Sequence, residues 1–220
     1  MFYGASTVKI TSMILSLSLA GGACWIFAFY EIILLGIRDK TYGIPLFALG
    51  LNVTWEIIYS VEGIFFIQVQ TIICIAWFIL NTVNVYLYFK YGRERFPQRL
   101  QKKFIPLSIA VFLFCLGIQA AFYFQFDIRP ASQYSGFLQN VLTSFLFIYM
   151  FYSRSDMRGQ SLSIAVSKLL GSLAYVIQQG YLEMINPYII ICGALSVSAD
   201  IYYIILVAAA RQKQRKMQGS

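Results

Sequence analysis

Histidine is absent from this 220-residue chain, and nine acidic residues face 17 basic ones. The four cysteines, Cys24, Cys74, Cys115 and Cys192, form no C-x-x-C pair. Without histidine or paired thiols, a zinc or iron–sulfur site is not expected. All four cysteines fall in apolar stretches, where they read as small packing residues. Charge is scarce as well: 12% of the residues carry one, against about 25% in soluble domains. No internal repeat is visible, which weighs against transporters built from duplicated three-helix units. A barrel-strand alternation is missing too, leaving helices as the spanning element.

What fills the chain instead is apolar: 59% of the residues are hydrophobic, and the mean hydropathy is +0.69. Such a surface is solvated by lipid, so the sequence predicts an integral, multi-pass membrane protein. Seven apolar stretches predict helices over about 10–35, 43–63, 68–90, 104–124, 134–152, 161–182 and 187–209, each near the ~20 residues that cross ~30 Å of hydrocarbon. The expected fold class is all-α: a seven-transmembrane-helix bundle over 1–210 with a basic tail over 211–220. Lys9 and the segment Ala20-Gly21-Gly22-Ala23 imitate a secretory signal, but the apolar run continues to Leu35, past a signal core.

The basic residues set the orientation. Arg38 and Lys40 lie between helices 1 and 2, and a larger group from Lys90 to Lys103 lies between helices 3 and 4. Arg154 and Arg158 lie between helices 5 and 6, and the tail adds more. The other side holds only Lys9 and Arg129. This asymmetry predicts an outside or luminal N-terminus and a cytoplasmic C-terminus, in a bacterial inner membrane or the endoplasmic reticulum. The same short loops account for the +8 net charge, so a nucleic-acid partner is not expected.

Two acids, Glu56 and Asp200, fall well inside the apolar stretches. Burying a carboxylate in hydrocarbon costs on the order of 2.5 kcal/mol or more, which makes each a functional-site candidate. The surrounding polar residues recur at helical spacing: Asn52, Glu56, Tyr59 and Ser60 in helix 2; Trp77, Asn81, Asn84 and Tyr88 in helix 3; Lys168, Ser172, Tyr175 and Gln179 in helix 6; Gly193, Ser196, Asp200 and Tyr203 in helix 7. Such stripes turn from lipid, and these four faces are expected to converge on one cavity. Asn84, Ser196 and Gln139, taken singly, also read as hydrogen-bonding glue between helices. Glu31, Glu62 and Glu183 sit near helix ends and are expected to reach water. Lys168, about two turns into helix 6, is expected to snorkel, the alternative being a bond to an acid or a substrate oxygen. Desolvation disfavours the charged form of a carboxyl, and a neutral carboxyl can act as a general acid. Aromatic faces, abundant here at 17% of residues, stabilise cations by about 2 kcal/mol when desolvated.

Three short blocks carry a resemblance. Asp39-Lys40-Thr41-Tyr42-Gly43 with Asn52-Val53-Thr54-Trp55-Glu56-Ile57-Ile58-Tyr59, Arg158-Gly159-Gln160-Ser161, and Asp200-Ile201-Tyr202-Tyr203-Ile204 are similar to segments of the small integral-membrane terpene cyclases. That family serves fungal meroterpenoid and indole-diterpene pathways and has bacterial relatives; its length and seven helices match nearly the whole chain. The resemblance implies protonation of a terminal epoxide or alkene on a lipophilic prenylated substrate, followed by cationic ring closure without a metal. It also implies Glu56 and Asp200 as the catalytic pair, the acids that burial singles out. The DDxxD- and DxDD-type runs of soluble cyclases are absent, in keeping with this reading. Asn52, Trp55, Tyr59, Trp77, Asn81, Tyr175, Ser196 and Tyr203 are expected to line the substrate cavity. The alternative is a proton-coupled small-molecule transporter using Glu56 and Asp200. A retinal-binding protein would need a lysine in helix 7 ahead of the tail, and none is there. The oligomeric state is not legible.

Overall fold

Helix boundaries follow local chemistry. Ser161 accepts a hydrogen bond from the Ile164 backbone N–H at 3.1 Å and starts one helix. Asn186 receives the Tyr188 and Ile189 backbone N–H groups at 3.1 and 3.3 Å, immediately before Pro187 opens another. Lys40 takes a left-handed conformation (φ 49°), which lets the Thr41 N–H reach the Gly36 carbonyl at 3.0 Å and close the first helix. In the computed structural model, which describes residues 2–65 and 67–218, seven α-helices result. They are α1 (Phe2–Asp39), α2 (Leu46–Ile64), α3 (Val69–Tyr91), α4 (Phe104–Gln125), α5 (Ile128–Ser153), α6 (Leu162–Ile177) and α7 (Pro187–Gln218). A π-turn over Gln178–Leu182 extends α6, and short 3-10 turns join α3 to α4. The basic segment expected as a separate tail continues α7 without a break to Gln218.

Among the described residues, four helices are long and apolar enough to cross a membrane by length and composition: those over Lys9–Asp39, Val69–Tyr91, Gln98–Gln125 and Pro187–Lys216. The other three, α2, α5 and α6, supply much of the polar interior described below. Large apolar side chains such as Ile72, Leu113, Phe114 and Ile205 point outward from the bundle, as expected for a protein solvated by hydrocarbon.

The two ends of the bundle differ. At the basic end the inter-helix segments clasp one another. Asp39 Oδ2 accepts the Gly159 N–H at 3.0 Å, and Arg95 holds Asp156 at 3.0 Å. Gly159 lies in the left-handed region (φ +73°), and a Cβ on Gly43 would stand 2.8 Å from the Gly159 carbonyl oxygen, so both positions suit glycine. Glu31, expected to reach water, instead accepts from the hydroxyls of Ser161 and Ser163 at 2.7 and 2.5 Å. At the opposite end, Glu62 accepts from the Tyr123 hydroxyl, and Glu183 bonds Arg129 at 2.7 Å and Gln178 at 2.9 Å. These acids too are engaged by protein partners, because the loops are short enough to bring donors onto them.

Candidate active site

A cavity lies between α1, α2, α3, α5 and α6. It is lined by Trp25 and Phe29 of α1, Asn52, Trp55 and Glu56 of α2, and Gln70 and Trp77 of α3. The rest of the wall is Ser132, Gln133, Gly136, Phe137, Gln139, Asn140 and Thr143 of α5, with Ser172, Tyr175 and Gln179 of α6 and its π-turn. Its volume of about 110 Å³ is far above the roughly 10–15 Å³ that one water needs on the same measure. It is therefore a cavity rather than a packing fault.

Glu56 supplies the carboxyl group on this wall. It is 2% exposed. Asn81 donates to its Oε1 at 2.6 Å, and Asn84 in turn donates to the Asn81 side-chain Oδ1 at 3.3 Å. The other carboxyl oxygen, Oε2, has no hydrogen-bond partner among the described residues. An amide chain from α3 thus fixes the carboxyl and leaves its second oxygen buried without a partner. Asn81 acts from behind Glu56 and is not itself on the lining.

Aromatic rings form the wall around this acid. Trp55 and Trp77 lie 6.4 Å apart between ring centres, and Tyr175 meets Trp77 edge-on at 5.9 Å. Their polar edges are occupied elsewhere: Trp55 Nε1 donates to the Ser132 carbonyl at 3.0 Å, and Trp77 Nε1 to the Gly22 carbonyl at 3.3 Å. All three rings belong to residues on the cavity lining. Tyr59 packs against Trp55 in a tilted pair, 4.9 Å between ring centres, but stays off the lining.

The expectation that both buried acids share one chamber is not met. Asp200 is 1% exposed, lies outside the lining, and is 2.5 Å from Lys168 Nζ. Lys168 does not snorkel: it is 1% exposed, and it also donates to Ser144 Oγ at 2.6 Å. Its Nζ stands 5.7 Å from the ring centres of Trp25 and Phe147. On α6 it sits one turn from Ser172, and Ser144 sits one turn from Asn140 on α5. Ser172 and Asn140 are hydrogen-bonded to each other on the cavity lining at 3.0 Å, so the ion pair lies one helical turn below that rung.

The rest of the α7 stripe is likewise used for packing. Ser196 donates to the Gly193 carbonyl of its own helix at 3.0 Å, and the Tyr203 hydroxyl donates to Gln160 Oε1 at 3.1 Å. Neither lines the cavity. Two of the family-like blocks, 39–43 and 158–161, also fall at the basic-end clasp rather than at the cavity. Of the expected lining residues, Asn52, Trp55, Trp77 and Tyr175 are on the wall, as are Ser172 and Gln179 of the α6 stripe. Sequence reasoning missed α5. Its Gln133, Gly136, Asn140 and Thr143 share one face at helical spacing, and that signal could have found it. Trp25 and Phe29 of α1 carry no comparable signal, because aromatic residues also suit lipid.

Residues 5–213 match the family model of Pyr4-like transmembrane terpene cyclases. The terpene cyclase andB of Emericella variicolor is 26% identical over 206 residues, covering 89% of this chain and 87% of that protein. The terpene cyclase pyr4 of Aspergillus fumigatus is 24% identical over 212 residues, covering 91% and 88%. The asnovolin H synthase nvfL of Aspergillus novofumigatus is 27% identical over 181 residues, covering 78% and 68%. The chain therefore belongs to the Pyr4-like transmembrane terpene cyclases.

Proposed function

We propose that this enzyme protonates the terminal epoxide or alkene of a prenylated, meroterpenoid-type substrate and guides cationic ring closure without a metal, with Glu56 as the proton donor. Residues 1–210 form the catalytic domain and cross the membrane seven times. The N-terminus is outside or luminal, and the basic segment 211–220 is cytoplasmic. The observation that carries the reading is the state of Glu56: a buried carboxyl on an aromatic cavity wall, with one oxygen held by Asn81 and the other without a partner.

The chemistry follows from that arrangement. In its neutral form the Glu56 carboxyl transfers its proton to the epoxide oxygen, and the C–O bond breaks as a neighbouring alkene attacks the carbon. With an alkene start, the proton goes to the terminal carbon instead. Asn81 orients the acid and stabilises the carboxylate left behind. Successive alkenes donate their π electrons, each closing a ring and moving the positive charge along the chain. The faces of Trp25, Trp55 and Trp77 stabilise that charge, at about 2 kcal/mol for a desolvated cation–π contact. Loss of a proton, or capture of water, ends the cascade. In this reading Asp200 is a positioning residue. Its carboxylate compensates Lys168 and fastens α6 to α7 beneath the cavity.

Membranes carrying Glu56→Gln, incubated with farnesylated and geranylgeranylated phenols with and without a terminal epoxide, test the assignment. The parent protein is expected to release cyclised isomers, and the variant to lose about 10²–10⁴-fold in turnover while inserting normally. Undiminished turnover by the variant overturns Glu56 as the acid. Vesicle proton flux driven by a small solute, with no cyclised product from the parent, would favour the transporter alternative.

A further inference from the structure

The cavity is closed at one end and open at the other. On each helix the lining residue nearest the basic clasp (Phe29, Asn52, Trp77, Thr143 or Ser172) is buried. Partial exposure begins at mid-wall, as at Asn140 and Trp55, and at the far end Gln70, Ser132, Gln133 and Gln179 are partly exposed. These four lie where α3 and α5 begin and where α6 gives way to its π-turn. The mouth is therefore at the end opposite the basic clasp. The chain segments bordering it are unusual for loops. Ile67 precedes Gln70, and Phe126 precedes Ser132 and Gln133, while Met184 and Ile185 follow Gln179. Phe65, Ile67 and Ile185 are 74%, 73% and 74% exposed.

The charges at this end are few: the largely exposed Arg129 pairs with Glu183, Glu62 is bonded to Tyr123, and Lys9 and Asp127 are exposed. The exposed apolar residues Phe65 and Ile67 lie between Ile64 and Val69 at the helix flanks, with Gln68 beside them. At the other end, the inter-helix segments present arginine and lysine instead. A hydrocarbon surface continuous with the lipid-facing flanks is solvated at lowest cost by the same lipid.

We propose that the mouth of the cavity opens within the lipid leaflet opposite the basic end, and that the substrate enters from that leaflet without passing through water. The leaflet is the partner this rim fits. The entry route rests on the lipophilic substrate of the preceding reading; the placement of the rim does not. The amides at the mouth are the first hydrogen-bonding groups a substrate leaving the acyl chains would meet. The prenyl tail, needing no such partners, passes on to the aromatic wall and Glu56.

Two measurements test this, both on the full chain in phosphatidylcholine vesicles. In the first, Phe65→Trp and Ile185→Trp each add an indole at the rim, read as the difference from the parent. Lipids brominated on the acyl chains are expected to quench both indoles, and aqueous acrylamide is not. Arg99→Trp at the basic end serves as the water-exposed control and should behave in the opposite way. Acrylamide quenching at 65 and 185 without lipid quenching overturns the proposal. In the second, Ile67→Lys combined with Ile185→Lys places hydrated charge at the rim. KM for a farnesylated phenol bearing a terminal epoxide is expected to rise severalfold with kcat unchanged. An unchanged KM overturns entry from the leaflet. Because quenching is read without substrate, lipid-quenched indoles in a parent protein inactive on every phenol would sink the cyclase chemistry and leave the leaflet placement standing.

Discussion

Lys168 Nζ stands 2.5 Å from Asp200 Oδ1, and each of these side chains is 1% exposed. Two opposite charges are thus buried together below the floor of the cavity. Removing one partner of such a pair costs about 3–5 kcal/mol, because the other is left uncompensated, whereas replacing both by apolar groups is often neutral or better. Asp200→Asn and Lys168→Met are therefore each expected to lower the unfolding midpoint in detergent sharply. The double variant Lys168→Met with Asp200→Leu is expected to recover it. Turnover should follow the same pattern if Asp200 acts as a counter-ion. A stable double variant that makes no product would show instead that the Asp200 carboxylate enters the chemistry.

The chain has three tryptophans, and all of them, Trp25, Trp55 and Trp77, line the cavity. Intrinsic emission is therefore a direct reporter of what fills it. A farnesylated phenol lacking the epoxide, titrated into Glu56→Gln, is expected to change the emission saturably, and Trp77→Phe should reduce the amplitude. Emission that stays constant while the same compound co-sediments with the protein would place its binding elsewhere.

Gly171 lets α1 and α6 approach behind the cavity wall. A Cβ there would stand 2.7 Å from Trp25 Cδ1 and 2.9 Å from its Nε1. Gly171→Ala must therefore displace the indole or part the helices, a strain of about 1–3 kcal/mol. The expected result is a lower unfolding midpoint together with altered KM or product pattern, although residue 171 itself is not on the lining. Trp25→Val added to Gly171→Ala should restore the midpoint without restoring activity. A single variant as stable and as active as the parent would contradict the contact.

Acid should loosen the basic end before the interior. Partial burial alone would raise the Asp156 pKa. The hydrogen bonds from Arg95 and from the Arg158 backbone and side chain, with the Arg95 charge, outweigh it and hold the carboxyl below its ordinary range. The native value thus lies below the unfolded value of about 3.9, so the stabilisation is present above about pH 4 and is lost as pH falls through the native value. Thermal unfolding in detergent is expected to show an acid limb that Asp156→Asn flattens. An identical limb in that variant would assign it to other carboxyls.

Helix placement was largely legible because a lipid-crossing segment must be apolar over its whole length, which any window along the chain detects. The α2 stripe was legible too: Asn52 and Glu56 sit one turn apart in an apolar run and both reach the cavity. The α7 stripe was equally clear and pointed to the wrong neighbour. Polar residues at helical spacing show that a face turns from lipid, but the same pattern serves a cavity, a buried cation or the glutamine of another segment. Ser196, Asp200 and Tyr203 answer to the helix's own backbone, to Lys168 and to Gln160.

Composition by itself determined that this chain lives in lipid, since the cost of exposing apolar area to water adds up residue by residue whatever the fold. It also determined that Glu56 and Asp200 are buried, because each lies deep in an apolar run. Only the tertiary structure decided which acid stands on the wall of an aromatic cavity and which is paired with a buried cation. That depends on where Lys168 and Asn81 come to rest in space. Electrostatic compensation acts over a few ångströms across helices, a distance that separation along the chain does not encode.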